Sequence, residues 1–319
     1  FRVAIFGGLI QILSTILIGL FLLPMFGING VASLVLAFGF SLSSTAIVVK
    51  ILQEKGELDT LAGEILIGWL LVQDLAVVPM VILLPILAEG NHSFIEFPLA
   101  IVRSGIILGV AFAAGRFLVP SFMKMVLAMK SREFFLLSIV TFVFAVAGLS
   151  SLLGISPALG AFLAGLVVAE TSQNHAVFAE IRPLREIFMI LFFVSLGALV
   201  KPEILISSWQ IIVMLTLVFL VVKFCLSFFI IFLFGYHAKT AFWASTGLAN
   251  IGEFSFLVAA LAGTMGILSE RELGIAIYVT LLTLLITPIL FSCRYLFWAK
   301  SRTFFELPFW TRVQGNERT

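Results

Sequence analysis

Apolar residues in this chain run in long blocks separated by short polar stretches. The blocks predict ten membrane-spanning helices, at about 3–23, 31–52, 58–86, 97–124, 132–153, 156–171, 182–200, 206–234, 239–265 and 272–299. Most exceed the roughly 20 residues a helix needs to cross the hydrocarbon core; 156–171 is short for a clean crossing. Two spans are interrupted by small and polar residues. Gly39-Phe40-Ser41-Leu42-Ser43-Ser44-Thr45 interrupts the second, and Ser245-Thr246-Gly247-Leu248-Ala249-Asn250-Ile251-Gly252-Glu253 the ninth. Each interrupted span is the middle member of a triplet, 1–86 in one case and 206–299 in the other.

The basic residues set an orientation for this pattern, because cytoplasmic loops carry the excess of Lys and Arg. With alternate crossings, one side collects Arg2, Lys50, Lys55, Lys124, Lys130, Arg132, Arg182, Arg185, Lys239, Lys300, Arg302 and the polar tail Ser301 to Thr319. The other side collects Lys201 and Arg271, and its longest loop holds Glu89, His92 and Glu96. Both ends of the chain are therefore expected at the cytoplasmic face of a bacterial-type inner or plasma membrane. The first triplet then starts inside and the second outside. Similar triplets of opposite orientation are the mark of an inverted-repeat transporter whose broken helices cross near the substrate.

Composition agrees with a bilayer as the solvent. Hydrophobic residues make up 61% of the 319 positions and charged ones 11%, with a mean hydropathy of +1.21, more apolar surface than a soluble domain can hide. The net charge of +2 comes from scattered basic residues, which argues no nucleic-acid partner. Cys225 and Cys293 lie in apolar segments without metal-ligand spacing and read as free thiols. Walker loops, dinucleotide fingerprints, metal-ligand clusters and nucleophile elbows are missing from the sequence, so neither an enzyme nor a cofactor is implied. The chain begins at Phe1 and carries no signal peptide, and it reads as a fragment whose beginning has been lost.

One charge stands out against the apolar background. Asp74, in Gly68-Trp69-Leu70-Leu71-Val72-Gln73-Asp74-Leu75-Ala76-Val77-Val78-Pro79, sits in the middle of a span. A carboxylate near the centre of a membrane helix costs roughly 2.5–3.5 kcal/mol on insertion scales, so it is a functional residue by default. Burial disfavours the charged form of an acid, so such a group can hold a proton and a cation in turn. Gln73 adds a neutral carbonyl oxygen beside it, and oxygen ligands suit hard cations. One carboxylate exchanging one proton for one monovalent cation moves no net charge, so electroneutral exchange is expected.

The other candidates surround the interruptions. Ser43, Ser44 and Thr45, with freed backbone carbonyls, either line a cation site or bond back to their own helix. Asn250 and Glu253 belong to the second interruption, where Glu253 either neutralises half-helix N-termini, the favoured role, or binds the ion directly. Lys223, deep in 206–234, has three possible acceptors: Asp74, Glu253 or the carbonyls of the broken helices, with a core-stabilising role favoured. Glu64 is a candidate for a cytoplasmic entrance, while Arg116 and Glu170 carry no site assignment. His92, His175 and His237 fall in loops.

Taken together, Ser43-Ser44-Thr45-Ala46, Gln73-Asp74-Leu75-Ala76-Val77-Val78-Pro79, Leu159-Gly160-Ala161-Phe162-Leu163-Ala164-Gly165, Phe192-Phe193-Val194-Ser195-Leu196-Gly197 and Gly252-Glu253-Phe254 resemble the monovalent cation:proton antiporter-2 family. The similarity is greatest to its Kef-type potassium/proton antiporter branch, whose acidic motif is Gln-Asp. The resemblance implies an all-α polytopic membrane protein with the inverted-repeat cation/proton antiporter fold and two crossed discontinuous helices. It implies a homodimer working by an elevator motion. Residues 1–96 would form the first core triplet, 97–205 a linker helix with scaffold and dimerisation helices, 206–300 the inverted second triplet and 301–319 a cytoplasmic tail. Asp74 matches the family's ion-binding acid, Gln73 its neutral neighbour and Lys223 the basic residue of the core. Ser43, Ser44 and Thr45 match the first broken helix, and Asn250 and Glu253 fall on the second. By this mapping three scaffold helices and a nucleotide-binding regulatory domain lie outside the chain. Potassium ions are the expected cargo, exchanged for protons, with sodium ions and a passive cation channel as the alternatives.

Overall fold

A computed structural model describes residues 3–88, 113, 116, 119, 121–122, 125–126, 131–152, 157–169, 171, 174–199 and 201–305. Every regular element among them is a helix. A π turn (Val3–Gly7) leads into α1 (Gly8–Leu22), followed by α2 (Gly30–Ser41), α3 (Thr45–Glu54) and α4 (Leu61–Ala88). Then come α5 (Arg132–Leu152), α6 (Pro157–Ala169) and α7 (Asn174–Leu199), and after them α8 (Pro202–Leu233), α9 (Ala238–Leu248), α10 (Phe254–Thr264) and α11 (Glu270–Phe305). Six described segments are long and apolar enough to cross a membrane: Val3–Phe26, Gly30–Glu54, Leu61–Ala88, Arg132–Leu152, Pro202–Leu233 and Glu270–Lys300. The protein is an integral, multi-pass membrane protein.

Two compact units are present, Phe1–Gly90 with Val200–Thr319 in one and Asn91–Leu199 in the other. In the second unit α5 packs on α6 and α7. Its core gathers Phe135, Ile139, Val167, Val168 and Val177. The expected span at 97–124 lies almost wholly outside the described residues, as do His92, Glu170 and the tail beyond 305. A boundary differs from expectation here. The apolar run predicts a helix from 182, with His175 in a loop, but α7 starts at Asn174 and takes in His175. Hydropathy windows miss polar helical turns. These are supported by Arg132 with Glu180 at 2.8 Å and by the i,i+4 pair Arg182–Glu186.

In the first unit both interruptions are real breaks. The second span stops at Ser41 and resumes at Thr45, with Leu42 and Ser44 in extended conformation. The ninth span becomes two helices of 11 residues, α9 and α10, separated by Ala249–Glu253. An unwound segment exposes backbone N–H and C=O groups that hydrocarbon cannot satisfy, so each needs partners within the protein. The breaks supply them to each other. Gly252 N–H donates to Leu42 O at 3.0 Å. Ser44 N–H donates to Asn250 Oδ1 at 2.7 Å, and the Ser43 hydroxyl to Leu248 O at 2.9 Å. The approach is close enough that a Cβ on Gly252 would lie 2.5 Å from the Ser43 carbonyl carbon. These are the two crossed discontinuous helices of the inverted repeat.

The flanking helices of each triplet serve its break in the same way. From the first helix a long polar side chain reaches a break carbonyl. Gln11 Nε2 donates to Ser41 O in one triplet, and Lys223 Nζ to Asn250 O in the other. From the third helix a side-chain oxygen accepts a break N–H. Gln73 Oε1 takes Ser43 N at 2.7 Å, and Thr283 Oγ1 takes Ile251 N at 3.1 Å. The repeat, faint in residue identity, is plain in this bonding.

Candidate functional site

Asp74 stands midway along α4, and the residue before it faces inward. Gln73 is fully buried, and both ends of its amide are engaged. Its oxygen accepts from Ser43 N and its nitrogen donates to Gln11 Oε1, each at 2.7 Å. Asp74, part-buried, turns to the start of α3, where the Thr45 hydroxyl lies 2.9 and 3.1 Å from its two carboxylate oxygens. One hydroxyl carries one proton, so it satisfies a fraction of a carboxylate's acceptor capacity.

Of the candidates Ser43, Ser44 and Thr45, Thr45 alone reaches the acid. The Ser43 hydroxyl is spent on the opposite break, at Leu248 O. The Ser44 hydroxyl accepts Ile47 N at 3.2 Å and so caps α3. Ser43 and Gln73 therefore brace the break with the atoms that the sequence suggested as cation ligands.

Across from them, Asn250 is fully buried. Its oxygen accepts Ser44 N and its nitrogen donates to Gly247 O at 2.7 Å, so one side chain fastens both breaks. Glu253 occupies the position before α10 without making a capping hydrogen bond. Its Oε2 is buried and has no hydrogen-bond partner among the described residues. Lys223 takes the third of its three possible acceptors. Its ammonium, fully buried, donates to Leu42 O at 2.8 Å and Asn250 O at 2.5 Å, joining one carbonyl from each break. Glu64 is exposed in the first turn of α4.

Three features escape a reading by span. Gln11 is a lone amide in an apolar helix, and its partner on α4 is another amide 62 positions away. Thr280, Thr283 and Thr287 recur at helical spacing along α11, all fully buried, a pattern visible in sequence but easily lost in an apolar average. Arg294, 1% exposed, pairs with Glu57 and lies 5.1–5.2 Å from the ring centres of Trp243, Phe291 and Tyr295. The described residues hold no group of three or more His, Cys, Asp or Glu suited to a resident metal.

Comparison with known proteins fits this arrangement. The family model described as "Sodium/hydrogen exchanger, transmembrane" matches residues 1–292. YbaL of Escherichia coli (strain K12), provisionally described as a cation/proton antiporter, is 34% identical over 313 residues, 95% of this chain and 56% of YbaL. Arabidopsis thaliana K(+) efflux antiporter 4 is 32% identical over 296 residues, covering 91% of this chain and 50% of the relative. K(+) efflux antiporter KefB of Alkalimonas amylolytica, likewise provisionally named, is 34% identical over 285 residues, covering 89% and 43%. The chain thus spans about half the length of the curated relatives it matches. With the match extending across both triplets and their crossed breaks, the chain belongs to the transmembrane sodium/hydrogen exchanger family.

Proposed function

We propose that this chain is the membrane part of a secondary antiporter that exchanges a monovalent cation, potassium in preference, for a proton at Asp74. The observation that carries the reading is the half-satisfied Asp74 carboxylate, touched by the Thr45 hydroxyl beside two crossed helix breaks. An acid so placed takes a proton or a cation into the same open coordination, and occupancy by one excludes the other. One carboxylate per exchange makes the cycle electroneutral, one cation for one proton. The relatives named as K(+) efflux antiporters support potassium as the cargo. A second reading, sodium for protons on the same fold, draws on the family's printed description.

The two core triplets, 1–96 and 206–300, carry the ion in an elevator motion past scaffold and dimerisation helices at 97–205. The working form is a homodimer in a bacterial-type inner or plasma membrane, with both ends of the chain at the cytoplasmic face. The test is the full chain in proteoliposomes under a proton gradient, read by dye dequenching on addition of KCl, NaCl or RbCl. Potassium should release stored protons at the lowest concentration, without dependence on membrane potential, and Asp74→Asn should release none. Equal signals from wild type and Asp74→Asn would remove Asp74 from the mechanism. Cation current without proton movement would make the protein a channel. Voltage-dependent exchange would overturn the one-for-one stoichiometry.

A further inference from the structure

Asp74 is connected to α1 by side-chain hydrogen bonds and a short piece of backbone, beginning at Gln11. The side chain is fully buried in α1. Its Nε2 donates to Thr15 Oγ1 at 3.0 Å and to Ser41 O at 3.2 Å, and its Oε1 accepts Gln73 Nε2 at 2.7 Å. Gln73 in turn accepts Ser43 N. The two amides thus grip the first break on both sides of Leu42, by the carbonyl before it and the N–H after it. Two residues beyond Ser43 is Thr45, whose hydroxyl holds Asp74.

We propose that Gln11 is a positioning residue for the cation seat: it fixes which way the Gln73 amide faces, and through the clamped break it sets the distance between Thr45 and Asp74. The chemistry calls for an amide. Gln73 has one oxygen and one nitrogen to place, and Ser43 N requires the oxygen. Its nitrogen then needs an acceptor, which Gln11 Oε1 supplies. Ser41 O and Thr15 Oγ1 need donors, which the Gln11 NH2 group supplies. Glutamate offers no donor to either, and an apolar residue offers nothing. In the second triplet the corresponding place belongs to Lys223, which touches both breaks. Gln11 bonds only its own, the one that leads to Thr45. A cation whose fit depends on the gap between Thr45 and Asp74 is therefore selected in part from α1.

The inference rests on the exchange reading for its meaning, so its test uses binding as well as transport. Gln11→Met keeps the length and removes all three bonds. Thr15→Val is the milder variant: it preserves shape and takes one acceptor from the Gln11 amide. In detergent, stabilisation of the full chain by KCl and by NaCl is measured as a thermal shift against salt concentration. In proteoliposomes, KM and kcat are measured for both cations. Gln11→Met should raise the apparent potassium Kd and KM about tenfold, the scale of one buried hydrogen bond, with little change in kcat. It should also flatten the ratio between potassium and sodium. Thr15→Val should move the same quantities in the same direction by less. A role confined to packing would lower the yield of folded protein and leave these constants unmoved, and that result overturns the proposal. If Gln11→Met does not fold, unchanged constants in Thr15→Val overturn it alone. Wild type that binds potassium without exchanging it sinks the antiport reading and leaves the comparison of variants decisive for Gln11. Wild type that neither binds nor exchanges either cation overturns both.

Discussion

Lys223 and Asp74 are the two charged groups at the breaks whose surroundings differ most. The ammonium, 0% exposed, has two carbonyls from different chain segments within hydrogen-bond reach; the carboxylate has a single hydroxyl. The first is a tie and the second an open valence. Leaving a buried carbonyl without its donor costs roughly 1–3 kcal/mol. Lys223→Met, which withdraws a donor from one carbonyl of each break, should therefore cost about 2 kcal/mol or more, seen as a lowered melting temperature in detergent. Asp74→Asn, by contrast, preserves shape and keeps an oxygen for Thr45, and its melting temperature should stay within a few degrees of wild type. A variant pair in which Asp74→Asn unfolds and Lys223→Met does not would reverse the two roles. In sequence both residues were conspicuous, because a charge in an apolar run is a local signal. Their bonding was not. Lys223 offered three acceptors, and the ones it takes lie 181 and 27 positions away, a choice that only packing makes.

At the scale of elements, the breaks depend on closeness. Gly252 meets the Ser43 backbone, and a Cβ on Gly39 would lie 3.2 Å from the Ser255 Cα. Gly252→Val should push the breaks apart, weaken the Gly252-to-Leu42 hydrogen bond and destabilise the fold. Backbone atoms rather than a flexible side chain stand in the way, so relief requires moving a helix. The measurement is folded yield by size-exclusion chromatography; a monodisperse peak at wild-type yield would show that the crossing has slack. The interruptions themselves were readable, since small and polar residues in mid-span are their local signature. The start of α7 was not, because its first turns mix exposed ion pairs with a single buried residue, Val177, too few apolar positions for a hydropathy window to register. Likewise the amide pair Gln11–Gln73 joins two helices that hydropathy treats as uniformly apolar.

On the scale of the whole first unit, the Glu57–Arg294 pair ties the turn after α3 to α11, one end in each triplet. The arginine is 1% and the glutamate 16% exposed, and Arg294 Nε has no hydrogen-bond partner among the described residues. Removing one member of a buried ion pair leaves the other uncompensated, at a cost of about 3–5 kcal/mol. Glu57→Gln should therefore lower the melting temperature by several degrees or more. A double replacement, Glu57→Gln with Arg294→Met, should recover part of the loss. Failure to recover would mean that Arg294 matters for its aromatic packing and not for its charge.

The mutual bonding of the breaks also bears on how the molecule is made. Ser43 and Ser44 bond residues 205 and 206 positions later in the chain. While the ribosome has delivered only the first triplet, Ser44 N–H and Leu42 O lack their later partners and face a hydrocarbon that offers none. The nascent first triplet must then either keep an unbroken middle helix or borrow contacts from the insertion machinery, unwinding into its final form when residues 223–252 arrive. Residues 1–90 expressed alone should accordingly be degraded or aggregate, and co-expression with residues 200–319 should rescue them.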